Sequence, residues 1–214
     1  MSVAVSLADA ERAYLADALE RLGPDAPTLC EGWETRDLAI HLVIRERRPD
    51  AVPGMVVAGL AGWTGKVMNA RRHDPYAELV AKVRMGPPVW SPFAVSGVAG
   101  LVNPMEYFVH HEDVRRAQPG WEPRELDADV EDLIWSRLRR QARVMLRKAP
   151  VGVTLRREDN GAEAVAKAST PVVTVTGQPG ELLLYAFGRR SAARVKLDGD
   201  AGAIARLEAA DVGL

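Results

Sequence analysis

The chain has 214 residues, which is enough to bury the core of one large domain or of a domain with a smaller appendage. Hydrophobic residues make up 47% and charged residues 27%, the composition of an ordinary soluble globular protein. The formal net charge of -1 excludes a global positive field that would recruit nucleic acid or an anionic membrane.

Signals for secretion and membrane insertion are missing from the sequence. The single cysteine, Cys30, cannot form an intrachain disulfide, so the fold does not need an oxidising compartment. The segment MSVAVSLADAERAYL lacks a basic region before an apolar one, and Ala51 to Ala61 is too short and too rich in Gly and Pro to span a bilayer. We therefore expect a cytoplasmic protein without nucleic-acid or membrane partners.

Helical periodicity dominates the first two thirds of the chain. Four long helices are predicted from their apolar spacing and from capping or stop signals at their ends. They run over Ser6 to Leu22, Thr35 to about Arg48, Asn103 to just before Pro119, and Asp129 to Lys148. A shorter helix is predicted from Pro75 to about Met85, and residues 49 to 74 are predicted to be irregular. This pattern predicts a four-helix bundle over residues 1 to 149.

After Pro150 the pattern changes from helical to alternating. Strands are predicted at residues 151 to 155, 172 to 176 and 193 to 197, and helices at residues 178 to 190 and 201 to 210. Residues 150 to 214 therefore form a small α+β domain, which at about 65 residues would be marginal alone and is expected to pack on the bundle. The predicted fold class is mainly α.

Candidate metal-binding side chains are concentrated in the segment NPMEYFVHHEDVRR, residues 103 to 116. In a helix Glu106, His110 and Asp113 follow the spacing i, i+4, i+7 and share one stripe. His41 lies on the apolar side of the helix that begins at Thr35, so two helices offer ligands to a shared interior. Two imidazoles and a carboxylate suit zinc, nickel or iron(II). The hypothesis is a divalent-metal site of His41, Glu106 and His110.

Each of the three residues also has a structural alternative. Glu106 follows Asn103 by three residues and could be the acidic member of a capping box. His41 could be a hydrogen-bonded core histidine, and His110 could pair with Glu106 on the surface of the helix.

Asp113 comes one helical turn after His110 and is predicted to accept the proton of the ring nitrogen that does not bind the metal. Its alternative role is to pair with Arg116 or Arg45. His73, His111 and Glu112 are predicted to lie outside the site.

Three segments resemble the mycothiol-dependent maleylpyruvate isomerase family of the DinB-like metalloprotein superfamily, and in particular its actinobacterial metal-binding branch. They are TLCEGWETRDLAIHL at 28 to 42, MEYFVHHEDVRRA at 105 to 117, and VTGQPGELLLYAFGRR with VKLDGD between 175 and 200. The resemblance implies a DinB-like four-helix bundle whose metal, commonly zinc, is held by His41, Glu106 and His110. It also implies a C-terminal domain similar to sterol carrier protein folds.

The resemblance further implies an enzyme that uses mycothiol, a low-molecular-weight thiol, as co-substrate for a small anionic substrate. In the isomerases an arginine of the C-terminal domain binds the substrate carboxylate, and Gly188-Arg189 matches the family's Gly-Arg pair. Arg189 is therefore the candidate, with a helix C-terminal cation as its alternative role. The leading hypothesis is a metal-dependent isomerase or transferase, monomeric or homodimeric. The alternatives are a non-enzymatic metal-binding bundle, structural or sensing, and a carrier of hydrophobic ligands through the C-terminal domain.

Overall fold

Residues 3–55, 58–94 and 96–210 are described by the structure, a computed structural model. Within them the chain is mainly α-helical, and the strands of its four-stranded sheet come after residue 150. The predicted fold class, mainly α with a C-terminal α+β part, is confirmed. The chain divides into two compact units, Met1–Glu122 and Pro123–Leu214. Among the described residues, no helix is both long and apolar enough to cross a lipid bilayer.

The first unit is built from amphipathic helices around an apolar core. Its helices are α1 (Val3–Leu22), α2 (Thr35–Arg47), α3 (Ala61–Ala70), α4 (Tyr76–Met85) and α5 (Ser96–Arg115), with short 3-10 turns at Val52–Met55, Ala58–Leu60 and Pro92–Ala94. Helix α1 packs along α5, and α4 packs against α1 and α2. Leu38 and Leu42 of α2 and Tyr107 and Val114 of α5 are buried in the same core. This core holds in place the two helices that carry the predicted metal site.

Helices α1, α2 and α4 lie close to their predicted positions, but the cap of α2 differs from the prediction. Glu34 is the N-cap, and its N–H donates to the Asp37 carboxylate at 3.3 Å. Thr35, the predicted cap, instead donates its hydroxyl proton to the Gly23 carbonyl at 2.5 Å. Thr35 therefore ties the beginning of α2 to the residue that follows α1.

The prediction of irregular structure for residues 49 to 74 is wrong for α3. Gly62 and Gly65 lower the intrinsic helix propensity of this segment by about 1 kcal/mol each relative to alanine. Thr64 and Val67 are nevertheless buried, and the Thr64 hydroxyl donates to the Ala51 carbonyl at 2.6 Å. Tertiary packing therefore overrides the local preference.

Helix α5 begins at Ser96 rather than at Asn103, so the predicted start is wrong. Pro104 lies inside the helix, where it removes one backbone N–H donor without ending the helix. Because Asn103 is itself helical, it cannot be an N-cap, and the capping-box alternative for Glu106 is wrong. Glu106 is an interior residue of α5.

The second unit combines helices with a mixed sheet. Its elements are α6 (Ala128–Met145), β1 (Gly152–Arg157), β2 (Glu163–Lys167), β3 (Val172–Gly177), α7 (Pro179–Ala186), β4 (Lys196–Gly199) and α8 (Ala201–Ala209). The strand order is β2-β1-β3-β4; β1 and β3 are parallel, and the other two pairs are antiparallel. Helix α6 packs on α7 and β2, and α8 packs on β3 and β4.

Two predictions for the second unit need correction. Strand β2 was not predicted because its sequence, EAVAK, is rich in residues that are uncommon in strands; it forms by antiparallel pairing with β1. The last strand begins at Lys196 rather than Ala193, whose N–H donates to the Arg189 carbonyl in a turn. Helix α6, which is predicted as a helix of the bundle, packs on α7 and β2. The domain boundary between residues 149 and 150 stays a prediction.

Candidate metal centre

His41 of α2 meets Glu106 and His110 of α5 within the first unit. The carboxylate oxygen Oε1 of Glu106 lies 3.4 Å from Nε2 of His41 and 3.3 Å from Nε2 of His110. The ligand atoms that the three residues offer all lie within 4.8 Å of one another. The histidine side chains are 13% and 10% exposed and that of Glu106 is 23% exposed. The three groups therefore converge at a place that solvent still reaches.

The spacing of these atoms fits a shared ion. Nitrogen and oxygen ligands at about 2.1 Å from a tetrahedral metal lie about 3.4 Å apart. Both distances around Glu106 Oε1 are close to this value, and as hydrogen bonds they are long and weak, since charge-assisted hydrogen bonds favour about 2.8 Å. The separation of each imidazole nitrogen from the carboxylate oxygen therefore fits a divalent ion.

The charge states of two of these groups suit metal binding. Burial disfavours the Glu106 carboxylate, but hydrogen bonds from His110 and His41 and the charge of Arg45 outweigh it and hold the pKa of Glu106 well below its usual range. Burial lowers the pKa of His41, helped by the charges of His110 and Arg45. At neutral pH the site therefore offers an ionised carboxylate and a neutral imidazole.

Asp113 is fully buried one turn after His110 on α5, and its Oδ2 lies 2.9 Å from His110 Nδ1. Burial opposes the charge on His110, but hydrogen bonds with Asp113, Cys30 and Glu106 outweigh it and raise the pKa of His110 well above its usual range. With the Nδ1 proton held by Asp113, Nε2 is the ring nitrogen directed to Glu106.

Arg45 brings a positive charge to this group of side chains. Its Nε lies 3.4 Å from Glu106 Oε1, and its guanidinium carbon lies 4.3 Å from the centre of the Phe93 ring. From the sequence, Arg45 is predicted to lie on the same face of α2 as His41 and is an alternative partner of Asp113. The structure places it against Glu106, while Arg116 pairs with Glu112 at 2.5 Å.

Cys30 and Trp33 were missed as site residues. Cys30 Sγ lies 3.2 Å from Asp113 Oδ2, and the Trp33 ring centre lies 5.3 Å from that of His41. As the single cysteine of the chain, Cys30 has no spacing pattern that predicts a site. The signal that could have found both residues is the segment TLCEGW, which leads directly into the helix that carries His41.

The remaining predicted residues lie elsewhere. Arg189 follows α7 in the second unit, and its guanidinium donates to the Phe187 carbonyl at 2.7 Å, the geometry of a cation at a helix C-terminus. A role for Arg189 in substrate binding stays a prediction. His73 is exposed, and buried His111 lies with Nδ1 2.6 Å from Glu11 Oε2. Both are therefore outside the group around Glu106, as predicted.

The fold combines a helical unit, in which two histidines and a carboxylate meet, with a small α+β unit. No protein-family model and no curated protein matches the chain. Among solved structures, it is similar to a histidine-to-alanine mutant of the mycothiol-dependent maleylpyruvate isomerase, with a TM-score of 0.62 and 15% identity over 91% of each chain. A second structure of the mycothiol-dependent maleylpyruvate isomerase has a TM-score of 0.56 and 16% identity, again over 91% of each chain. At these identities the similarity establishes a common fold.

Proposed function

We propose that the protein binds one divalent metal ion through His41 Nε2, Glu106 and His110 Nε2. The observation that carries this proposal is the 3.3 to 3.4 Å spacing of both imidazole nitrogens from one carboxylate oxygen. The metal is zinc by preference, with nickel and iron(II) as the alternatives that accept the same ligands. Asp113 holds His110 in the tautomer that presents Nε2.

The activity proposed for this site is that of a thiol-dependent isomerase or transferase. Two solved structures with this fold are named as the mycothiol-dependent maleylpyruvate isomerase, which supports a low-molecular-weight thiol of the mycothiol type as co-substrate. A bound divalent ion supplies Lewis acidity, which generates a nucleophile from a thiol or a water near neutral pH. Three protein ligands leave room for such a group in a four-coordinate site.

A small anionic substrate suits the charges of this chain. Arg45 places a guanidinium beside Glu106 in the first unit. Arg189 stays the proposed carboxylate-binding residue of the second unit, because a guanidinium matches a carboxylate in shape and charge. Membership of the DinB-like superfamily and a sterol carrier-like second unit belong to this proposal, as do a cytoplasmic location and a monomeric or homodimeric state.

Metal analysis of protein purified without a histidine tag tests the ligand set. We expect about one equivalent of a transition metal in the wild type and less than about a tenth in His110→Ala. His73→Ala is the matched control, because His73 is exposed and outside the group around Glu106; it should keep the wild-type metal content. A wild type with less than about a tenth of an equivalent, even after incubation with zinc, would contradict the proposal.

Cobalt substitution tests the thiol. Addition of mycothiol to the Co²⁺ protein should produce a sulfur-to-cobalt charge-transfer absorption, because the thiolate enters an open coordination position. S-methyl mycothiol is the matched control and should leave the spectrum unchanged. An unchanged spectrum with saturating mycothiol would favour the non-enzymatic metal-binding bundle.

A further inference from the structure

One loop packs against the His41 ring and also contacts Asp113, the hydrogen-bond partner of His110. It is the segment from Pro27 to Glu34, whose ends pair in an isolated antiparallel bridge. Its Trp33 packs near the His41 ring, and its Cys30 lies 3.2 Å from Asp113 Oδ2. A separate backbone bond, from the N–H of the residue before Cys30 to the Asp113 carbonyl at 3.0 Å, joins the loop to the same aspartate. The loop is therefore attached to Asp113 at two points.

Cys30, Asp113 and His110 are also residue types that bind metals, and their ligand atoms lie within 4.8 Å of one another. The distances decide between coordination and hydrogen bonding. On a tetrahedral ion, nitrogen and oxygen ligands lie about 3.4 Å apart and sulfur and oxygen ligands about 3.6 Å apart. The observed distances from Asp113 Oδ2 are shorter, 2.9 Å to His110 Nδ1 and 3.2 Å to Cys30 Sγ. Both are hydrogen-bond distances with one shared acceptor.

We propose that Cys30 is a positioning residue whose thiol donates to Asp113 Oδ2 and so holds the carboxylate that orients His110. Asp113 is fully buried, and a buried carboxylate is costly unless donors surround it. The thiol supplies one donor and His110 Nδ1 supplies another. The effect of Cys30 on metal affinity rests on the proposed function.

The affinity for Zn²⁺, measured by competition with a chromophoric chelator, tests the thiol in the metal-bound protein. Cys30→Ala should bind Zn²⁺ about fivefold more weakly, below the roughly 10- to 100-fold loss for a direct partner of a ligand, because Cys30 acts through Asp113. Cys30→Ser keeps a donor and should stay within about threefold of the wild type. Equal affinity of Cys30→Ala and the wild type would overturn the proposal.

The Co²⁺ spectrum separates positioning from coordination. In the wild type without added thiol, we expect no sulfur-to-cobalt charge-transfer absorption, because the cysteine sulfur is not a ligand. The visible d–d bands should shift in Cys30→Ala as the geometry around His110 relaxes. A charge-transfer absorption that is present in the wild type and lost in Cys30→Ser would show that Cys30 binds the metal and would overturn the proposal.

Alkylation of the metal-free protein tests the same hydrogen bond without any metal. The hydrogen bond to Asp113 holds the thiol in place, so Asp113→Ala, which removes the acceptor, should make local opening easier and increase the rate of reaction of Cys30 with iodoacetamide by about fivefold. In urea both proteins should react at the same rate. Equal rates in the folded proteins would overturn the proposal, and this result is separate from the failure of the wild type to bind metal.

Discussion

The imidazole of His110 connects Asp113 to Glu106. Its Nδ1 lies 2.9 Å from the buried carboxylate of Asp113, and its Nε2 lies 3.3 Å from Glu106 Oε1. A carboxylate behind a metal-binding histidine sets the tautomer of the ring and increases the basicity of the nitrogen that faces the ion. The two carboxylates of α5 thus act on opposite sides of one ring.

Replacement of Asp113 should weaken metal binding without removing a ligand. We expect Asp113→Asn, which keeps an acceptor for Nδ1–H, to lower the Zn²⁺ affinity by about tenfold, and Asp113→Ala by up to about 100-fold. Competition with a chromophoric chelator measures both affinities. Far-ultraviolet circular dichroism controls for folding, and a folded Asp113→Ala protein with wild-type affinity would disprove the orienting role.

Arg45 and a bound ion compete for the same carboxylate oxygen. Arg45→Gln should destabilise the metal-free protein by about 1–3 kcal/mol, since Glu106 loses a partly buried cationic partner. The loss should be smaller in the metal-bound protein, because the ion supplies the missing positive charge. Urea unfolding with and without Zn²⁺ measures both values, and linkage then requires tighter Zn²⁺ binding by Arg45→Gln. Weaker binding would mean that Arg45 supports the metal rather than competing with it.

Chelation should leave the helices intact. The core around Leu38 and Tyr107 buries the apolar faces of α2 and α5 independently of the three ligands. For free Zn²⁺ at a hundredfold excess over its Kd, linkage gives about 2.7 kcal/mol, or a fall in Tm of about 5–10 °C on removal of the ion. Circular dichroism before and after treatment with a chelator measures the helix content. Loss of most of the helical signal would instead indicate a structural metal.

Glu131 belongs to the second unit, and the effect of its ionisation on stability does not depend on the metal. Its Oε2 accepts the Gly180 N–H at 2.9 Å, near the start of α7. Burial, the largest influence, raises the pKa of Glu131 above its ordinary value of 4.5. A raised pKa in the folded state means that the folded protein binds more protons, so stability falls as the pH rises through this range.

Glu131→Gln keeps the acceptor but cannot ionise. Its stability relative to the wild type should therefore increase between about pH 4 and pH 7, as the wild-type carboxyl ionises at a cost. Urea unfolding at both pH values measures the difference. Glu131→Ala, the control, cannot ionise either and should show the same rise relative to the wild type, but it should be about 1 kcal/mol less stable than Glu131→Gln at both pH values, because the Gly180 N–H loses its partner. A difference between Glu131→Gln and the wild type that does not change with pH would contradict the burial effect.

Local periodicity was enough to bring Glu106 and His110 together, because i, i+4 residues always meet on a helix. The pairing with His41 required only that two amphipathic helices share a core. The beginning of α5 could not be predicted in this way, since Asn103-Pro104 has the form of a helix start although the helix runs through it. Local rules describe preferences, and packing decides which preference prevails.

Cys30 shows the limit of sequence reasoning at the site. It meets Asp113 across 83 residues of chain, through a loop without regular periodicity. No spacing rule joins two such positions, and a single cysteine carries no pattern of its own. Arg45 was placed on the correct face of α2, but its partner Glu106 depends on how α2 and α5 pack, which the sequence does not encode locally.

Because the chain divides after Glu122, the first unit is synthesised completely before the second. Every side chain described around the candidate metal centre, from Cys30 to Asp113, belongs to the first unit. Domains generally fold as units, the N-terminal one first, as the chain leaves the ribosome. The three residues proposed as metal ligands can therefore come together while the second unit is still being translated.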